Sequence, residues 1–259
     1  MDTGDYSEIR ESVPEPTVGE KLGGVFKSNL WLVYAISLTC IALSWLILMI
    51  VSFAAMSFVA AVLSIVFSSI SAVAAWKIYA SKGDLSGNLR NLRMFSSFMF
   101  VIDIIICVAF GLLTLGMTFI LAFLGNDFFE KLGDVITEAG QEIPQEFEQI
   151  NEFWNTLGPI FLVIFLVIMV VAIVLCVMSI IMYSRSKKYL IELSDKTYGH
   201  EKALTVPPVK LLYVFGVIVA LFGVTELISG SASSVIVIFR GVFLFTQGMV
   251  FNEIKKALD

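Results

Sequence analysis

Between Ser28 and Trp76 the chain runs 49 residues without a single charge. Wound as one helix, this stretch would be roughly 74 Å long at about 1.5 Å per residue, more than twice the ~30 Å hydrocarbon core of a bilayer. It therefore has to cross an apolar phase twice, with a tight turn expected near Ser52 to Ser57. Three more such runs follow: Met94 to Asn126, broken by Asp103; Phe153 to Ser184; and Leu211 to Asn252, which holds Glu226 and Arg240. The SGSAS segment at Ser229 to Ser233 is a turn signal that divides the last run into two short spans. The expected fold class is all-α and polytopic, with six transmembrane helices. Composition agrees: 58% of residues are hydrophobic and 15% charged, against about 45–50% apolar in soluble domains.

Lysine and arginine bias sets the orientation of such a bundle. With the N-terminus inside, fifteen of the seventeen basic residues fall on the cytoplasmic side, leaving Lys131 outside and Arg240 in the membrane. An N-in, C-in topology is expected on the plasma membrane. No basic n-region followed by a short apolar segment opens the sequence, so the first span is expected to act as the first anchor.

This reading divides the chain into a cytoplasmic acidic tail with a short interfacial helix (1–29), transmembrane helices 1–3 (30–124), an outer acidic segment (125–158), transmembrane helices 4–6 (159–251) and a cytoplasmic tail (252–259). A cytoplasmic loop at 184–210 lies between the fourth and fifth spans, and Tyr183 to Leu193 reads as a helical extension of the fourth span into it. The polybasic Arg185 to Lys188 there suits an anchor beside anionic lipid. In the tail, Val18, Leu22, Val25 and Phe26 have the spacing of the interfacial helix.

The outer segment carries eight carboxylates against Lys131. Phe128, Leu132, Val135 and Ala139 recur at helical spacing, as do Ile143, Phe147, Ile150, Trp154 and Leu157, with Gly140 and Pro144 between the two sets. Two amphipathic helices on the outer face between helices 3 and 4 are expected, with Glu130, Asp134 and Glu138 on one polar face and Glu142 and Glu146 on the other. Such a face can attract cations or a basic partner, but four-residue spacing of carboxylates arises wherever one helix face is wet. The D-x-D-x-D-G pattern of a calcium loop is missing.

Three charges fall clearly inside spans: Asp103, Glu226 and Arg240. A charge left alone there costs about 2.5–3.5 kcal/mol on insertion scales. Counting from Gly230 as the outer turn, Arg240 lies roughly 15 Å deep and Glu226 roughly 6 Å; counting from Met94, Asp103 lies roughly 13 Å above the inner face. Those depths place Asp103 near the level of Arg240. Arg240 is therefore expected to pair first with Asp103, with Glu226 joining from above. The cluster reads equally as a functional site and as an ion lock between the third and sixth spans. Ala60, Ser64, Ser68 and Ala72 repeat every four residues, a small-residue stripe suited to close helix approach. Thr225, Thr246 and Gln247 suit hydrogen bonds between helices.

Catalytic inventory is thin. The one histidine, His200, lies in the cytoplasmic loop, where HEKAL lacks the second histidine of a zinc-protease motif. Cys40, Cys107 and Cys176 sit in spans and read as small buried hydrophobes. No phosphate-binding glycine loop occurs, and a net charge of −5 argues against nucleic acid. The chain is expected not to be an enzyme and to need no cofactor or metal; its expected partners are the lipid bilayer and another membrane protein. Two functions follow: an accessory or scaffold component of a bacterial-type plasma membrane, in keeping with the lack of an N-x-S/T site in the outer segment, or a small transporter or permease subunit in which Asp103, Glu226 and Arg240 form a coupling site and Gly223, Gly241 and Gly248 a flexible gate.

Overall fold

The structure, a computed structural model, describes residues 17–51, 55–123, 135, 138, 145–200, 203–231 and 233–259. The described residues form seven helices and no strand: α1 (Val18–Phe26), α2 (Asn29–Val51), α3 (Ala55–Tyr79), α4 (Leu85–Phe123), α5 (Gln145–Thr197), α6 (Val209–Ile228) and α7 (Ser234–Leu258). Six of them, α2 to α7, are long and apolar enough to cross a membrane. The chain is a helical integral membrane protein by that measure.

Helix ends follow local chemistry. Thr17 and Glu20 close a capping box at the start of α1, each side chain meeting the other's backbone N–H. Pro208 stands at the N-cap of α6, where a residue that cannot continue a preceding helix costs least. The α6–α7 turn falls on SGSAS as expected, with Gly230 at φ 77°. α2 ends at Val51 and α3 begins at Ala55, so at most three residues of the expected Ser52 to Ser57 turn separate the helices. Those three lie outside the described residues.

The chain forms two compact units. In the first, which holds residues 1–93 and 189–259, α2 packs against both α3 and α7, and α6 pairs with α7. Buried positions on α2 recur as Trp31, Tyr34, Ala35, Leu38, Ile41 and Ala42, one face of a helix. Tyr34 stacks on Phe243 of α7, with ring centroids 5.4 Å apart. The indole N–H of Trp31 donates to the Ala75 carbonyl of α3 at 2.9 Å, and that of Trp76 to Thr39 at 3.0 Å. Ser64, Ser68 and Ala72 of the expected stripe are buried, while Ala60 is exposed and its neighbour Ala61 takes the inward place.

Helix α1 forms where the spacing of Val18 and Leu22 placed it, but its apolar face is not left to lipid. Leu22 and Phe26 are buried, α1 packs on α7, and Phe26 lies edge-on to Trp31 of α2 at 4.8 Å, extending the aromatic core.

The second unit, residues 94–188, holds most of α4 and α5. Both helices outrun a bilayer: 39 and 53 residues come to about 58 and 80 Å. α5 passes Gly158 and Pro159 without a break, so the expected boundary between the second outer helix and the fourth span is not a helix end. It also continues past Leu193 to Thr197, four residues beyond the expected inner end.

Candidate functional site

Asp103 sits on the buried stripe of α4 that includes Phe95 and Met99, two turns and one turn earlier. It is 5% exposed, the one acidic side chain buried among the described residues. Ser179 of α5 donates its hydroxyl to the Asp103 carboxylate at 2.5 Å. A serine there supplies one of the donors that a buried carboxylate requires. Nearer the expected inner face, Lys187 of α5 lies 4.8 Å above the Phe100 ring, so one lysine of the polybasic run is held by a ring of α4.

Glu226 is placed differently. It is half-buried in the last turns of α6, where its carboxylate accepts from Ser233 at 3.2 Å. Its backbone carbonyl accepts from the Ser229 hydroxyl and the Ser231 N–H. The glutamate thus belongs to the polar network of the SGSAS turn. Arg240 is half-buried on α7. Its expected partner Asp103 belongs to the other compact unit.

The glycines around Arg240 have a clear role. A Cβ on Gly241 would come within 2.5 Å of the Ala220 nitrogen, and one on Gly223 within 2.7 Å of the Ile238 nitrogen. Gly216 is as tight, 2.7 Å from the Phe245 nitrogen, and a Cβ on Gly248 would meet the Tyr213 ring at 3.0 Å. Backbone therefore touches backbone along the α6–α7 hairpin, the geometry small residues permit in membranes. These glycines are contact points of an interlocked pair.

The remaining polar candidates turn inward on their own helices or stand alone. Thr225 donates to Phe222 and Thr246 to Val242, each within its helix. Gln247 is fully buried, and its side-chain amide makes no hydrogen bond. Of the outer acidic face, Glu138 is helical and exposed; Glu130, Asp134 and Glu142 lie outside the described residues, and Glu146 falls in the first turn of α5. His200 is exposed beyond the end of α5. Among the described residues no three His, Cys, Asp or Glu side chains gather as a metal site.

A polar clasp was not foreseen. Ser86 and Ser194, 108 residues apart, lie hydroxyl to hydroxyl at 2.7 Å, and each hydroxyl is also within donating distance of the other's carbonyl, at 3.1 and 3.0 Å, so two protons serve three contacts. This ties the start of α4 to the end of α5. Glu192 then pins the following loop by accepting from the Thr205 N–H at 2.6 Å and from its hydroxyl. Lone serines near helix ends carry no sequence signal for such pairing.

No family model, curated protein or solved structure matches this chain.

Proposed function

We propose that the chain is a multi-pass protein of a bacterial-type plasma membrane with both termini in the cytoplasm. It works as a non-enzymatic accessory or scaffold component, presenting its outer acidic segment and its cytoplasmic loop to another membrane protein. The observation that carries this reading is the glycine interlock of α6 and α7. Transport by alternating access needs elements with two packings, whereas a hairpin whose backbones touch at Gly216, Gly223 and Gly241 loses close contacts in any other register. The clasp of Ser86 on Ser194 points the same way. Both features suit a fixed frame.

Gentle extraction from native membranes, followed by mass spectrometry of everything retained, tests the reading. A stoichiometric second membrane protein is expected, lost on deletion of 127–156 while the rest stays folded. A chain that comes away alone contradicts it.

A second reading keeps the charges as a coupling site for a small transporter or permease subunit. It is favoured by the buried Asp103 carboxylate with its Ser179 donor, a protonatable group held inside a candidate span. Asp103→Asn and Glu226→Gln then abolish an ion flux and leave folding intact. Unchanged flux in both variants removes this reading.

A further inference from the structure

At the end of α3 the loop to α4 and the short helix α1 enclose a cavity of about 230 Å³, lined among others by Gly19, Gly23, Phe26, Lys77, Lys82 and Asn88. A second groove of about 270 Å³ shares Lys77 and Asn88 with it and continues along α3 past Ala74, Val73 and Ile70. Those α3 positions, with Lys77, are spaced three, four and seven apart, so they form one face. Val73 and Ile70 are exposed large apolar side chains on it. The pair of cavities thus has a cationic head and an apolar tail.

Two of the three glycines of α1, Gly19 and Gly23, leave the head open. Glycine inside a helix is destabilising by roughly 0.5–1 kcal/mol relative to alanine, and elsewhere in this chain, at Gly216, Gly223 and Gly241, close backbone contact explains it. Gly19 and Gly23 have no such contact, as Gly24, Gly111 and Gly116 have none, but only these two line the cavity. A Cβ on Gly19 would meet only Leu85, at 3.8 Å, and one on Gly23 would meet nothing within 4 Å. They lie one turn apart on the cavity wall, and their missing side chains are part of its volume.

The loop is built to hold its shape. Ser81 takes a left-handed conformation, φ 52°, where helices commonly end in glycine. The Lys82 N–H donates to Lys77 and the Ser81 N–H to Ile78, the two bonds of a Schellman cap. The buried Asn88 amide donates to the Lys82 carbonyl at 3.0 Å. Asp84, the nearby carboxylate, is engaged by the Ser86 and Gly87 N–H groups at the start of α4. Neither Lys77 nor Lys82 forms an ion pair with a described residue.

We infer that this paired cavity binds an anionic phospholipid of the cytoplasmic leaflet, its phosphate between Lys77 and Lys82 and one acyl chain along Val73 and Ile70. The lipid, rather than free phosphate, is chosen by the groove: a soluble anion has no use for an apolar channel that opens from the same lysine. Basic pockets between membrane helices on the cytoplasmic side take such headgroups. The leaflet rests on the orientation proposed above.

The test uses the full chain in zwitterionic detergent, titrated with short-chain phosphatidylglycerol, phosphatidylcholine of the same chains, or inorganic phosphate. Phosphatidylglycerol at ten times its Kd is expected to raise the unfolding midpoint by roughly 3–6 °C, and the other two to leave it unchanged. Gly24→Leu, on the exposed face of α1 with open space around its Cβ, keeps the shift. Gly23→Leu, which fills the cavity, and Lys77→Gln lose it. Equal phosphatidylglycerol shifts in Gly23→Leu and Gly24→Leu overturn the site; an equal response to inorganic phosphate overturns the lipid, and one to phosphatidylcholine overturns its charge. Ala80→Cys in intact cells is expected to resist an impermeant maleimide. Labelling from outside overturns the leaflet while the lipid shift persists, which separates a wrong orientation from a wrong site.

Discussion

At the scale of single residues, helical glycine stands in two different settings in this chain, and substitution tells them apart. Gly223→Ala and Gly241→Ala press a methyl into facing backbone 2.5–2.7 Å away and are expected to destabilise by about 1–3 kcal/mol. Gly116→Ala on α4, with nothing within 4 Å, is expected to be neutral or stabilising by up to about 1 kcal/mol. Denaturant titration of the three proteins in detergent measures the difference, and equal stabilities would remove the interlock. The charges allow a second test. Ser179→Ala strips the Asp103 carboxylate of a donor and is expected to cost about 1–3 kcal/mol. The expectation from span depth that Arg240 pairs with Asp103 predicts that Arg240→Gln alone destabilises more than the Asp103→Asn, Arg240→Gln double variant, since a paired charge left alone is the costly state. Equal losses would dismiss the pairing. Sequence placed all three charges inside spans but could not tell that Glu226 joins the turn serines, because side-chain reach depends on a turn geometry that five small residues leave open.

At the scale of elements, the long uncharged runs and the turn signals were legible, since bilayer thickness and helix rise leave little freedom over such lengths. The positions of α2, α3, α6 and α7 follow from them within a few residues. What was not legible came from tertiary contact. The two-residue signal at Gly158 and Pro159 reads as a boundary, yet α5 runs through it; a proline removes one hydrogen bond, and a helix anchored on both sides tolerates that loss. The apolar stripe of α1 looks the same whether lipid or α7 covers it, and only the ring of Trp31 beside Phe26 decides. The Ser86–Ser194 clasp is likewise silent in sequence. A double-mutant cycle on Ser86→Ala and Ser194→Ala is expected to return a coupling of about 1 kcal/mol. A coupling near zero would mean that the ends of α4 and α5 are held by their apolar neighbours alone.

At the scale of the whole molecule, burial and charge describe a membrane protein from different directions. Within the first unit α7 is the most buried span, 56% of it covered, whereas α5 has 11% buried and turns Val163, Val167, Val170, Val171 and Val174 outward. Outward valine is what a lipid solvent allows and water does not. The ion pair of Arg90 with Asp195, 4.0 Å apart and with Arg90 60% exposed, adds little to stability; what basic residues on that side decide is orientation. The central claim is thus a six-span chain with its basic loops inside, and cysteine accessibility tests it most directly. With Cys40, Cys107 and Cys176 replaced, single cysteines at Gly230 and Tyr198 would be exposed to an impermeant maleimide on intact cells and again after lysis. The account predicts that Gly230→Cys labels on intact cells and Tyr198→Cys only after lysis; the reverse pattern, or labelling of both from outside, would contradict it.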